Sequence, residues 1–191
     1  ILLSTGTWII SMNPFSREQL TQSQLEKNCL CYMTTDNKQV KSSMQFLGHV
    51  HEINVLEFNS FYEKEKNYYL EIDIDKETCL QTFQQSKKVF FPNGIPEDYK
   101  ADLSVLNSFD SFEEAYNQLL FEISQMVFEG FGSILDKENK LKNIYISGGF
   151  NKNMFFLHYL SLMMPNLNIE ASEIKNTSAL GAALLMKDYF S

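Results

Sequence analysis

The order of secondary-structure patterns is the strongest constraint on what this chain can fold into, because strands come first and helices then alternate with strands. Short apolar segments bounded by turn residues predict an antiparallel meander in the first third, at 1–12, 29–33 and 39–48. In the second half, strands are predicted at 143–147 and 166–171, and helices at 110–135, 153–164 and 176–190. This order predicts an α/β fold with one sizeable core, which 191 residues are sufficient to form.

The stretches between these segments carry weaker signals. Residues 14–28 are polar, and residues 90–104 contain two prolines and a glycine, so both are predicted to be loops. Residues 52–72 fit a helical period only moderately well.

Two of the predicted helices have recognisable starts. Ser111 followed by Glu114 predicts a capping box at the beginning of the long helix. Asn176 or Thr177 is predicted to be the N-cap of the last helix. The small residues at 179–183 suit a close approach of that helix to another element.

Composition excludes several classes of function. The chain is 44% hydrophobic and 14% aromatic, which favours a folded domain over a disordered one. Its formal net charge of -8 provides no general attraction to nucleic acid or anionic lipid, so neither is expected as a partner. The sequence contains no apolar run of about 18 residues, the minimum for a transmembrane helix.

The cysteines favour a reducing compartment, and therefore a cytoplasmic protein. Their number is odd, and Cys29, Cys31 and Cys79 do not form a disulfide framework. Neither the cysteines nor the three histidines have the spacing of metal ligands, so no metal site is predicted.

Two glycine turns are the candidates for chemistry. The first, Ser-Thr-Gly-Thr at 4–7, places a glycine among hydroxyl residues, where backbone N–H groups and hydroxyls can approach an anion. The second, Gly148-Gly149, follows a strand and precedes a helix, where a planar base or a phosphate can lie against bare backbone. A glycine within a strand, as in the first turn, more often marks a β-bulge than a binding site, and a tight turn explains the second pair of glycines equally well.

Other reaction chemistries have little support in the sequence. The glycines match neither the dinucleotide pattern G-x-G-x-x-G nor the P-loop pattern. No G-x-S-x-G nucleophile motif is present. The acidic pairs Glu63/Glu65 and Glu113/Glu114 belong to charged segments typical of solvated surfaces, so no catalytic residue is predicted.

Several stretches together resemble the C-terminal domain of FGGY carbohydrate kinases, and in particular their rhamnulokinase-like branch. They are "LLSTGTWIISMNP" near the start and "IYISGGFNKNMFFLHYLSLMM" with "NTSALGAALLM" near the end. The branch carries motifs close to S-[ST]-G-T-W and G-G-x-x-x-N, and "FFPNG" and "FDSFEEAYNQLLFEIS" are also similar to it. The likeness spans the chain and is sharpest at 4–8, 147–153 and 178–183.

This resemblance implies a ribonuclease H-like domain of the actin, hexokinase and Hsp70 type, in which 1–191 is the ATP-binding lobe. It implies Mg²⁺ and ATP as cofactors, bound in the cleft shared with an N-terminal lobe, and a sugar substrate such as a ketose or deoxyketose. The ATP phosphates would lie against Ser4, Thr5, Gly6 and Thr7. The adenosine would lie against Gly148, Gly149 and Asn153, with the helix containing 179–183 packed behind.

The resemblance also implies where the chain lies within the kinase. The general base would be an aspartate upstream of this chain, which would begin inside a strand because it is the second of two lobes. Strand order and resemblance together predict that the meander joins 143–147 in one mixed sheet flanked by helices.

Two residues depart from the rhamnulokinase-like branch. Asn176 stands where the branch has a glutamate, and Phe150 stands where it often has a glycine. The alternatives are an actin-like nucleotide-binding module used in assembly or regulation, and an interaction domain without a nucleotide; the oligomeric state stays open.

Overall fold

The computed structural model of the protein describes residues 1–85, 87–136, 141–172, 174 and 177–186. The strands in this part of the chain are β1 (Leu2–Thr5), β2 (Ile9–Asn13), β3 (Cys29–Met33), β4 (Gln39–Gln45), β5 (Asn143–Gly148) and β6 (Asn168–Ala171). The α-helices are α1 (Gln22–Glu26), α2 (Leu47–Phe61), α3 (Lys76–Gln85), α4 (Phe112–Gly132), α5 (Met154–Met163) and α6 (Thr177–Met186). Short 3₁₀ turns occur at Tyr68–Leu70, Leu103–Ser108 and Gly149–Lys152.

The strands form one mixed sheet in the order β3-β4-β2-β1-β5-β6. β1 pairs antiparallel with β2 and parallel with β5, so that Leu3 lies opposite Ile146. β6 continues the parallel half beside β5. The predicted mixed sheet, which joins the start of the chain to 143–147, is therefore confirmed.

The predicted meander is wrong in its first strand and in its strand order. The segment predicted as one strand at 1–12 forms a hairpin of β1 and β2, because the chain reverses at residues 6–8. β4, and not β3, lies beside β2, because the β3–β4 hairpin turns its second strand toward the sheet. The hairpin is closed by a hydrogen bond of 2.8 Å from the Thr34 amide to the Lys38 carbonyl. β4 is suited to the interior position since Lys41, Ser42 and Ser43 are all buried, whereas β3 is exposed after Cys29.

The long predicted helix is confirmed as α4, which lies at the centre of the helical layer. It packs against α2, α3 and α5 and contacts the sheet through β2 and β4. Its start is capped as predicted by Ser111, whose hydroxyl accepts a hydrogen bond of 3.3 Å from the Glu114 amide. The Glu114 carboxylate, however, accepts from the amide of Asp110 at 3.0 Å rather than completing the capping box.

Two other predictions need correction, and one helix was not predicted. The predicted loop at 14–28 contains the short helix α1, which Thr21 and Gln24 close with a reciprocal capping box. The third strand ends at Gln45, because the chain then enters α2. α3 carries no sequence-based prediction, although Asp75 caps its first turn by accepting from the Glu77 amide at 2.9 Å.

The last helix differs from expectation. Thr177 is its first helical residue, and Asn176, the other predicted N-cap, lies outside the described residues. None of the described residues of α6 is buried, so the expected close packing of 179–183 is not observed. In the part of the chain that the structure describes, no helix is both long and apolar enough to span a bilayer.

Candidate functional site

The two glycine turns meet at one edge of the sheet. β1 and β5 are parallel neighbours, with Thr5 opposite Gly148, so the segments that follow them emerge side by side. This edge, at the carboxyl ends of neighbouring parallel strands, is where α/β proteins commonly bind ligands.

The start of α2 packs against the backbone of the first turn. A Cβ atom on Gly48 would lie 1.8 Å from the carbonyl oxygen of Gly6, so only glycine permits this approach. The next residue, His49, donates its backbone N–H to the Thr7 carbonyl at 3.1 Å. Gly6 and Thr7 themselves remain exposed.

The second turn requires glycine at its first position. Gly148 has a φ of 95°, in the region that favours glycine. A Cβ atom there would lie 1.8 Å from the Thr5 carbonyl oxygen. Gly149 is different, because a Cβ atom added to it would meet nothing closer than 3.9 Å.

Thr5 links the two turns. Its hydroxyl donates to the Ser147 carbonyl at 2.6 Å and accepts from the Phe150 amide at 3.0 Å. The residue is 2% exposed. These two internal hydrogen bonds give its hydroxyl a structural role, and it has little surface left for a ligand.

A cavity of about 500 Å³ opens beside both turns. It brings together Gly6, Thr7, Gly149 and Asn153 of the sequence-predicted site. The other predicted residues do not line it: Thr5 is buried behind it, and Ser4 and Gly148 line a second groove with Ser147. A volume of several hundred Å³ is usual for a small-molecule site.

The remaining cavity wall comes from residues that the sequence analysis did not identify. One side belongs to α2, with Gly48, His51 and Glu52. Another part belongs to the segment after α2, with Tyr69, Ile72 and Asp73 among its members. The one feature in the sequence that could have indicated this wall is Gly48, which lies one helical turn before Glu52. Its role becomes clear only from the structure, where Gly48 contacts the backbone of Gly6.

Asn153 has a defined hydrogen-bonding role at the start of α5. Its Oδ1 accepts from the Phe156 amide at 3.1 Å, which makes it the N-cap. Its Nδ2 donates to the Tyr116 hydroxyl at 2.7 Å, and that hydroxyl lies 3.2 Å from Nε2 of His51. Burial lowers the pKa of His51 from an ordinary value of 6.5 to about 4, so the ring is neutral near pH 7.

The cavity carries charges of both signs. Glu52 and Asp73 supply carboxylates, and Lys66 and Lys152 supply ammonium groups. Within the described ranges, no group of three or more His, Cys, Asp or Glu side chains could hold a metal ion. A divalent cation at this site would therefore need other oxygen ligands, such as phosphate groups and water.

Comparison with known proteins finds a likeness of fold. A solved structure with a similar fold is that of a carbohydrate kinase from Novosphingobium aromaticivorans, with a TM-score of 0.63 and 16% sequence identity. The likeness covers 94% of this chain but only 37% of the kinase chain. No family model matches the chain, and no curated protein matches it. At this identity the likeness concerns the fold alone.

Proposed function

We propose that this chain is the ATP-binding lobe of a carbohydrate kinase that transfers the γ-phosphate of ATP to a sugar hydroxyl. One observation carries the proposal: residues from two turns far apart in sequence, Gly6-Thr7 and Gly149–Asn153, line the same cavity. The similar fold of a carbohydrate kinase supports it. The six-stranded mixed sheet flanked by helices also supports it, since the resemblance implies a ribonuclease H-like domain with such a sheet.

The end of the cavity at the β1–β2 turn is proposed to hold the phosphates. Thr7 presents an exposed hydroxyl there, which is a suitable donor to phosphate oxygens. The Gly6 N–H already donates to the Trp8 carbonyl at 3.0 Å, so Gly6 contributes an exposed surface without a side chain rather than a donor. Mg²⁺ bound with the nucleotide would supply charge neutralisation on the phosphates during transfer. Because the described residues contain no cluster of metal ligands, phosphate oxygens and water would hold this ion.

The other end suits adenosine. Gly149 leaves bare backbone facing the cavity, and Tyr69 and Phe155 add aromatic surface for a planar base. Glu52 and Asp73 are acceptors of the kind that bind ribose hydroxyls. The proposal thus assigns the base to the α5 end and the phosphates to the β1–β2 turn.

Phosphate transfer requires groups from the rest of the enzyme. The general base is proposed to be an aspartate outside this chain, in an N-terminal lobe that also binds the sugar. The rhamnulokinase-like motifs favour a ketose or deoxyketose such as rhamnulose or fuculose, phosphorylated in the cytoplasm. Approach of the two lobes around ATP would position the sugar hydroxyl and exclude water.

Calorimetric titration with Mg-ATP tests the nucleotide site. We expect Gly149→Val to weaken ATP binding by about tenfold or more, since its side chain would enter the cavity, with the melting temperature nearly unchanged. Gly132→Val is the matched control, because a Cβ atom at Gly132 also meets open space, but the residue does not line the cavity. Equal ATP affinity in both variants and the unmodified protein would contradict the site.

An ADP-release assay over a panel of ketoses tests the transfer reaction. The 191-residue chain is expected to release no sugar-dependent ADP, because loss of a general base alone costs on the order of 10²- to 10⁴-fold in rate. A protein that also carries the opposing lobe is expected to be active. Activity in the 191-residue chain would show that the base lies within it, whereas inactivity of a folded two-lobe protein toward every sugar would favour the actin-like alternative.

A further inference from the structure

Three side chains form a hydrogen-bonded series at the cavity wall, which His51 and Asn153 line and Tyr116 supports from behind. His51 comes from α2, Tyr116 from α4 and Asn153 from the start of α5. The Tyr116 oxygen lies 2.7 Å from Asn153 Nδ2 and 3.2 Å from His51 Nε2. His51 and Tyr116 are buried, whereas Asn153 is partly exposed to the cavity.

The donor and acceptor in each of these hydrogen bonds can be assigned from the Phe156 backbone N–H, which bonds to Asn153. The Phe156 backbone N–H can only donate, so the atom of Asn153 that faces it must be the carbonyl oxygen. The amide nitrogen of Asn153 then faces Tyr116 and can only donate, so the phenol oxygen accepts. The phenol proton is left to donate to His51 Nε2, which requires a neutral ring protonated on Nδ1.

The surroundings of His51 hold the ring in this orientation. Its centroid lies 5.0 Å from that of Phe150 and 5.2 Å from that of Tyr69, both at steep interplanar angles. The aromatic enclosure removes the ring from water and favours its neutral form. A neutral, fixed acceptor at Nε2 in turn fixes the Tyr116 hydroxyl.

We infer, on the basis of the proposed function, that His51 and Tyr116 are positioning residues that present Asn153 to the bound base as a hydrogen-bond donor. One hydrogen of Asn153 Nδ2 is committed to Tyr116, and the other remains for a ligand in the cavity. This end of the site therefore selects a purine with an acceptor, a ring nitrogen, at the contacted position. A base that offers a donor there is rejected, since two donors cannot pair.

The first test needs no nucleotide. The ¹⁵N NMR signals of the His51 ring in the unliganded protein are expected to show an unprotonated Nε2 and a protonated Nδ1 at pH 7. A protonated Nε2 would overturn the inference, because the Tyr116 proton would then have a different partner. This result stands whether or not ATP binds.

The second test compares ATP with its 1-deaza, 3-deaza and 7-deaza analogues by calorimetry. Each analogue replaces one ring-nitrogen acceptor with a C–H group. In the unmodified protein one analogue is expected to bind about five- to tenfold more weakly than ATP, the value of a single hydrogen bond. In Tyr116→Phe, which keeps the ring but removes the hydrogen-bond partner of Asn153 Nδ2, that discrimination is expected to disappear.

Two further variants separate positioning from general stability. Tyr159→Phe removes a hydroxyl of a similarly buried tyrosine, which donates to Asn117 away from the cavity, and is expected to keep the discrimination. Asn153→Asp keeps an acceptor for the Phe156 amide but loses the donor, and is expected to abolish it. Unchanged discrimination in Tyr116→Phe or Asn153→Asp would overturn this inference alone. Absence of ATP binding to the unmodified protein would overturn the proposed function, and the purine selectivity with it.

Discussion

In the turn between β1 and β2, a Cβ atom added to Gly6 would meet nothing closer than the Trp8 carbonyl oxygen at 3.9 Å. The residue that must be glycine there is Gly48 of α2, because a Cβ atom added to it would lie 1.8 Å from the Gly6 carbonyl oxygen. In the turn after β5, Gly148 makes the close contact itself, while its neighbour Gly149 is free of steric demand. Each turn therefore has one glycine that the close approach of two backbones requires, which is Gly48 beside the first turn and Gly148 within the second. Gly6 and Gly149 carry no such steric requirement, and both line the cavity together with Gly48.

The comparison shows that glycines in one motif can have different roles: some are required by close backbone packing, and others leave a surface without side chains at the cavity. Gly148 serves the fold, since it allows β5 to pass close to Thr5. Gly149 and Gly6 have no such steric requirement, and both line the cavity. The same division holds for the hydroxyl residues of the first turn, where Thr5 is committed to internal hydrogen bonds and Thr7 is exposed.

The largest expected effect comes from exchanging the two neighbouring glycines for alanine. Gly148→Ala is expected to lower the free energy of unfolding by about 3–5 kcal/mol, because it combines an unfavourable φ with a backbone clash. Gly149→Ala is expected to change it by less than about 1 kcal/mol. Urea unfolding of the two variants measures both values. Similar losses of unfolding free energy in the two variants would contradict the conclusion that only Gly148 is required by backbone packing.

A pH titration of stability tests the burial of His51, whose ring packs against Phe150 of the second turn. Because burial lowers the pKa of His51 to about 4 from an ordinary value of 6.5, folding favours its neutral form. The resulting stability is fully present above pH 6.5 and is lost as the pH falls toward about 4. The loss attributable to this group is about 3 kcal/mol, measured as the difference in acid sensitivity between the protein and His51→Gln. Identical acid sensitivity in the two proteins would contradict the neutral, buried ring.

The smallest expected effect concerns the two threonines of the first turn. Thr5→Val is expected to cost about 2 kcal/mol of unfolding free energy, since the Phe150 amide and the Ser147 carbonyl each lose a buried partner. Thr7→Val is expected to cost less than about 0.5 kcal/mol because its side chain is exposed. Under the proposed function, Thr7→Val instead weakens Mg-ATP binding. The reverse pattern of stabilities would show that the roles of the two residues are exchanged.

Several elements could be predicted from the sequence because their signals are local. The strand at 143–147, the glycines after it and the helix that follows combine an apolar run, turn residues and an N-cap, and each acts within a few residues. α1 was missed although Thr21 and Gln24 form a capping box, because α1 contains no buried residue and so has no hydrophobic period. α2 was placed too late in the sequence, because its first turn is defined by contact with residues 6–7 rather than by its own pattern.

The sequence by itself determined the strands at 29–33 and 143–147, where the glycine turns lie and that Asn153 begins a helix, since these depend on local periodicity and capping. Only the tertiary structure decided that the start of the chain forms two strands and that the β3–β4 hairpin enters the sheet through β4. The same holds for the residues around Gly48, His51 and Tyr69, which line one cavity with Gly149. The physical reason is the range of the interactions. Thr5 and Ser147 are 142 positions apart yet share a hydrogen bond, and such pairings depend on the packing of the whole core and not on neighbouring residues.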